Sequence, residues 1–285
     1  METPSAARYR PAMSVSTRNF GPMLREWRQR RRISQLDLAL EGNISTRHLS
    51  FLETGRSQPS RDMVLNLAEQ LEVPLRDRNI LLAAAGFAPV FSERSLDDPA
   101  LGAARQAVEL VIQGHVPYPA VAVDRHWTLV SANDAVPPLL AGVDAALLRP
   151  PVNVMRLALH PSGLAPRIAN LPEWRNHLLE RLRRQVEASA DAVLVALLEE
   201  LRGYPAPNTP RPPPRARDHA GMVVPFELVT DMGLLAFFST ITVFGTPIDV
   251  TLSELALECF YPANEATAEI LRRADQGRRQ ASRQS

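Results

Sequence analysis

SQLDLALEGNISTRHLSFLETGR, Ser34 to Arg56, contains two short runs with apolar residues at helical spacing, separated by a turn signal at Gly42-Asn43. Ser34 precedes QLDLALE and Ser45 precedes TRHLSFLE, each where a hydroxyl oxygen accepts an otherwise orphaned N–H of the first helical turn. Gly42 and Gly55 supply the stop signals. The pattern predicts two helices joined by a tight turn, the second opening on small and polar residues that let its backbone approach a base edge.

The same punctuation extends outward from this core. Upstream, Leu24 and Trp27 give the segment from Phe20 an apolar side, and Arg28, Arg30, Arg31 and Arg32 gather at its end, where cations suit the helix dipole. Downstream, Ser60 caps RDMVLNLAEQLEV, and LRDRNILLAAAG begins after Pro74 and stops at Gly86. Residues 20 to 85 are therefore expected to form an all-α, five-helix head. GFAPVFSERSLDD breaks the pattern, which divides the chain into a flexible N-terminus over 1–18, a head over 19–90, a body over 91–275 and a disordered tail over 276–285.

Charge separates head from body. The 285 residues carry a net +1, but residues 1 to 62 hold 11 arginines and 6 acids, a net +5, leaving about −4 for the rest. A basic head calls for an anionic partner. All 32 basic residues are arginine. No apolar run approaches the ~18 residues that a membrane span needs, and the N-terminus lacks a signal-peptide pattern, so a cytoplasmic protein without membrane association is expected. Cys259, the single cysteine, excludes an internal disulfide and a cysteine-rich zinc site. Its place in ELALECFY puts it on one strand face with Leu255 and Leu257, as a core residue.

In the body, Asp98 opens a helix to Gly114. PAVAVDRHWTLVSAN reads as two strands about the Asp124-Arg125-His126 turn, with Asn133 beginning a helix. Residues 146 to 202 are mostly helical in pattern. The proline-rich stretch 204–220 is incompatible with a regular helix or central strand, and lid, partner site and slack all remain open for it. MVVPFELVT, GLLAFFSTITVFG and TLSELALECFY read as strands before a closing helix, ANEATAEILRRAD. Strands at both ends with helices between them indicate an α+β domain with an antiparallel sheet.

Phe20 to Val73 resembles the helix-turn-helix domain of the XRE family, the phage-repressor and Cro type. The resemblance rests on Leu24, Arg28, Ser34-Gln35, Leu38-Ala39, Ser50, Glu53, Gly55-Arg56 and Pro59-Ser60. It implies double-stranded operator DNA as partner, phosphate contact from Gln35 and Arg56, and base contact from Thr46, Arg47 and Phe51, with Ser45 and Ser50 in the same DNA-binding set. An arginine at position 47 can fork onto guanine O6 and N7, worth about 1 to 3 kcal/mol of discrimination; the competing reading is a solvated surface arginine. Glu53 is expected to buttress helix packing. One such unit spans few base pairs, so a homodimer on half-sites about 10 bp apart follows.

Residues 60 to 275 resemble the MmyB-like transcription regulators, on LLAAAGFAP, the block from Arg156 to Arg175, and FGTPIDVTLSELALECFYPAN. That resemblance implies a PAS-like ligand-binding domain that holds a fatty acid or similar hydrophobic effector, and no cofactor.

The block RLALHPSGLAPRIANLPEWR, Arg156 to Arg175, admits three readings. Catalysis by His160 would need an orienting acid and a nucleophile, and no GxSxG, HExxH or phosphate-cradling loop accompanies it. A structural reading has His160-Pro161 ending one helix and Asn170 capping the next. In a receptor reading, Arg156, four residues before His160, clamps a carboxylate, and Leu157, Leu159, Trp174, Phe237 and Phe238 supply apolar wall. The candidate ligand set is Arg156, Leu159, His160, Asn170, Trp174, Arg175, Phe237 and Phe238, with no catalytic or metal residue. A ligand-responsive regulator is expected; the alternatives are a body that only dimerises and a DNA-tethered enzyme.

Overall fold

A computed structural model describes residues 19–205, 224–245, 247 and 249–284. The segment 1–18 expected to be flexible and nearly all of the proline-rich stretch lie outside the described residues. The chain separates into two compact units, Met1–Val90 and Phe91–Ser285.

The first unit is five helices: α1 (Phe20–Arg30), α2 (Gln35–Glu41), α3 (Thr46–Glu53), α4 (Arg61–Gln70) and α5 (Leu75–Ala84). Ser34, Ser45 and Ser60 each accept a backbone N–H from the first turn of α2, α3 and α4, from Asp37, His48 and Met63. In the α2–α3 turn the left-handed residue is Asn43, φ 53°, a conformation asparagine tolerates. Gly42 is right-handed and is needed for space, because a Cβ there would lie 2.9 Å from the Leu67 side chain. Leu24, Leu38, Leu49, Leu52, Leu67, Leu71 and Leu81 are fully buried at the centre. Each contributes about 1.5 to 3 kcal/mol by leaving water.

The second unit is built on β1 (Ala120–Val123), β2 (Leu129–Ala132), β3 (Phe226–Thr230), β4 (Gly233–Val243) and β5 (Ala256–Pro262). They form one antiparallel sheet in the order β2-β1-β5-β4-β3, which places the last strand in the centre. Val121 lies opposite Glu258, Ser239 opposite Phe260, and Phe226 opposite Phe237. Around the sheet are α6 (Gly102–Gly114), α7 (Val154–Leu159), α8 (Leu171–Ser189), α9 (Ala192–Gly203), α10 (Val250–Ser253) and α11 (Glu265–Gln284). Val108 and Ile112 of α6 pack with Ala120, Ala122, Leu257 and Cys259. A larger core joins α7, α8 and α9 to Val121, Leu235, Phe237 and Leu228. Helices on both sheet faces, α6 on one and α7, α8 and α9 on the other, give the PAS-like α+β unit.

Three sequence expectations need correction. Asn133 begins no helix: Pro137 and Pro138 permit only a short 3-10 turn over Pro137–Leu140. Its buried amide instead donates to the carbonyls of Ile112 and Tyr118, at 2.9 and 2.8 Å, and accepts from Ala120 and Ala135. TLSE is not strand but the short helix α10, capped by Asp249. Residues 276 to 284, expected as a disordered tail, continue α11; Arg278 and Arg279 reach back to Asp275 at helical spacing, pairs that favour the helix.

Candidate functional site

The candidate DNA face grows from α3. Thr46 and Arg47, in its first turn, are exposed, and Ser45 is held as the cap by its bond to the His48 N–H. Phe51 is half-buried, with the guanidinium carbons of Arg47 and Arg56 at 5.3 and 6.0 Å from its ring centroid. The ring thus steadies two long cations that would otherwise lose more rotamer freedom on binding. Arg56 is exposed and follows Gly55, whose φ of 72° turns the chain out of the helix. Ser50 is half-buried, its carbonyl accepting from Thr54.

Beneath this face Glu53 is buried and binds three donors. Arg28 Nε and Nη2 approach at 2.6 and 3.0 Å, and Gln35 Nε2 at 2.7 Å. The bond to Glu53 holds the Arg28 pKa above its ordinary value. Gln35, expected at a phosphate, is therefore oriented from within by the same carboxylate that fixes α1 to α3.

The second unit contains a partly open cavity of about 110 Å³. Trp174 and Phe237 line it, as does Leu157, together with Trp127, Phe226 and Phe260, which sequence reasoning missed. Val154, Leu157 and Ala158 share one face of α7 and all reach the wall. Trp127 holds φ 66°, costly for a bulky residue. Its surroundings enforce the turn: Asp124 accepts from the His126 and Thr128 N–H groups, and Gln185 accepts from the Trp127 indole while donating to the Arg125 carbonyl. Arg181 lies 4.2 Å above the Trp127 ring and 3.2 Å from Glu258, which also reaches the cavity. His177 stacks on Trp174, and burial together with Arg181 lowers its pKa. Burial, and secondarily Glu258, raises the Cys259 thiol pKa, so this residue is poorly disposed to form a thiolate.

The remaining residues of the expected ligand set lie elsewhere. Arg156 is on the other side of α7, bound to Glu200, and borders a separate polar cleft beside His126 and Asn153. His160 Nδ1 accepts from the Ser162 N–H, and its ring packs edge-on against Tyr204. Leu159 is buried in the core without lining the cavity. Asn170 makes no side-chain cap: it donates to the Pro225 carbonyl and accepts from the Glu227 N–H, tying α8 to β3. Arg175 donates to the carbonyls of Leu201, Arg202 and Tyr204 at the end of α9. Phe238 follows Phe237 on the strand, so it points to the opposite sheet face and stacks on Tyr261. Among the described residues no group of three or more His, Cys, Asp or Glu could hold a metal ion, and no helix is long and apolar enough to cross a membrane.

A helix-turn-helix unit followed by a PAS-like sheet around an apolar cavity defines a DNA-binding transcription regulator with a ligand-binding C-terminal domain. Residues 24–77 match the helix-turn-helix family, and residues 104–274, more than half of the chain, match the MmyB-like transcription regulator ligand binding domain. The chain belongs to the MmyB-like regulators. No curated protein matches it in sequence comparison.

Proposed function

We propose that the chain binds operator DNA as a homodimer through α3, in the cytoplasm, and that a small hydrophobic molecule in the body's cavity sets its affinity for that DNA. The observation that carries this reading is the apolar, partly open cavity between the sheet and α7 and α8, in a domain that follows a helix-turn-helix unit in the chain. The effector acts by binding DNA-competent and DNA-incompetent states unequally. The apolar lining suits a hydrocarbon group; the guanidinium offered for a fatty acid's head group, Arg156, is engaged by Glu200. The role is non-catalytic: His160 is spent on a local turn and on packing against Tyr204.

Mass spectrometry of small molecules released from the purified, denatured protein tests the reading. A hydrophobic compound at near-stoichiometric amount is expected. A body that releases nothing and takes up no hydrophobic probe would leave dimerisation as its role.

A further inference from the structure

The sheet covers its two edge strands but leaves part of β4 open. Beside β2, Leu129 donates to the Val152 carbonyl at 2.7 Å and Val154 to the Trp127 carbonyl at 2.9 Å. Along β3, Ala169 donates to the Glu227 carbonyl at 2.8 Å, and Asn170 Oδ1 accepts from the Glu227 N–H. β3 is short, however, and pairs with β4 only over Gly233–Phe237. Phe238–Val243 continue β4 beside β5, and on their other side no strand lies among the described residues. The Ala236 carbonyl accepts from the Ala263 N–H, just beyond β5, at 2.8 Å, so Ala236 faces β5. Backbone direction alternates along a strand, and the β4–β5 register runs without a shift. The N–H and C=O groups of Ser239, Ile241 and Val243 therefore face away from β5, toward the open side. Such an edge is a template for another strand unless charge, proline or a bulge blunts it. None of these occurs between Phe238 and Val243. Thr240, Ile241, Thr242 and Val243 are all β-branched, which favours strand, and all are exposed, Val243 to 60%.

We propose that two copies of the chain dimerise by antiparallel pairing of this open edge, which joins their sheets into one. The register that engages every outward-facing group pairs Ile241 with itself across a two-fold axis, and Ser239 with Val243 of the second copy. The absence of charge over Phe238–Val243 lets identical strands meet without like-charge repulsion. The chain's own proline-rich stretch is a poor substitute, since Pro207, Pro210, Pro212, Pro213 and Pro214 carry no N–H for a ladder. This inference rests on the chain being a homodimer.

Sedimentation velocity on the full chain reads the dimer. In this register Thr240 lies opposite Thr242 of the second copy, and both side chains are exposed. Thr240→Lys combined with Thr242→Lys, and Thr240→Glu combined with Thr242→Glu, are each expected to weaken self-association about tenfold through facing like charges. An equal mixture of the two variants is expected to regain it as a mixed dimer. Ile241→Cys, whose Cα would stand about 5.5 Å from that of its copy, is expected to form a chain-to-chain disulfide on oxidation. Dimers that persist undiminished in both charged variants overturn the edge pairing and leave the homodimer standing. A dimeric Ile241→Cys that forms no disulfide does the same. A natural chain that is monomeric at every concentration defeats the homodimer and the edge pairing with it. Should a charged variant fail to fold, Ile241→Cys decides alone.

Discussion

Arg156 grips Glu200 through three bonds, Nε to Oε1 at 2.8 Å and to Oε2 at 3.0 Å and Nη2 to Oε2 at 2.7 Å, while its neighbours Leu157 and Ala158 line the cavity. The side chains are 44% and 36% exposed, so solvent screens the pair. Arg156→Ala is expected to change stability by no more than about 1 kcal/mol and to leave the affinity for hydrophobic ligands unaltered. Calorimetry on the variant checks this, and a lost ligand would restore the clamp.

The same pair has a pH signature. The hydrogen bond from Arg156 holds the Glu200 carboxyl below its ordinary range, and the Tyr204 hydroxyl adds to this; burial and the bond to Glu200 push the Tyr204 phenol up to about 12. A depressed carboxyl pKa contributes stability that is present above the unfolded value and lost as pH falls through the folded one. The difference in melting temperature between the natural chain and Glu200→Gln is expected to be present at pH 7, to begin shrinking near the unfolded glutamate value of about 4.3, and to be lost as pH falls through the lower folded one. A difference that persists in acid would contradict the assignment.

Glu53 is a different case, because its side chain is 1% exposed and Arg28 11%. Removing one member of a buried pair strands the other, a loss of about 3 to 5 kcal/mol. Glu53→Gln is expected to shift urea unfolding of the helical unit by that amount, read through Trp27 in α1. An unchanged midpoint would mean that the pair is replaceable.

On DNA, Arg56→Ala is expected to reduce the slope of log affinity against log salt by about 1 without altering sequence preference. Arg47→Ala is expected to cost about 1 to 3 kcal/mol and relax preference at one base position. Fluorescence anisotropy over a salt series distinguishes them; an Arg56 variant with the original slope would remove it from the phosphate contacts.

The head was legible because its signals are local. Ser34, Ser45 and Ser60 announce their helices within one turn, and Glu53 was correctly expected to buttress packing. In the body, alternation marked the strands, but their order depends on pairings far apart in sequence. Trp174 and Phe237 were anticipated at the cavity, whereas Trp127 sits beside a turn that reads as solvent-facing. Glu258 was missed for a related reason: on the face opposite Leu257 and Cys259 it would meet water in an edge strand, but β5 is central and covered on both faces. Arg156 was misplaced because its partner stands 44 residues away.

Whether occupancy of the cavity is felt at α3 is decided by DNA affinity measured with and without ligand. An operator selected from a random pool, titrated with the full chain, is expected to show a Kd changed at least about fivefold by the ligand released from the native protein. Ala158→Leu, which fills the cavity wall, is expected to bind the same DNA with no ligand response. An identical Kd at full and at zero ligand occupancy in the natural chain would contradict the account.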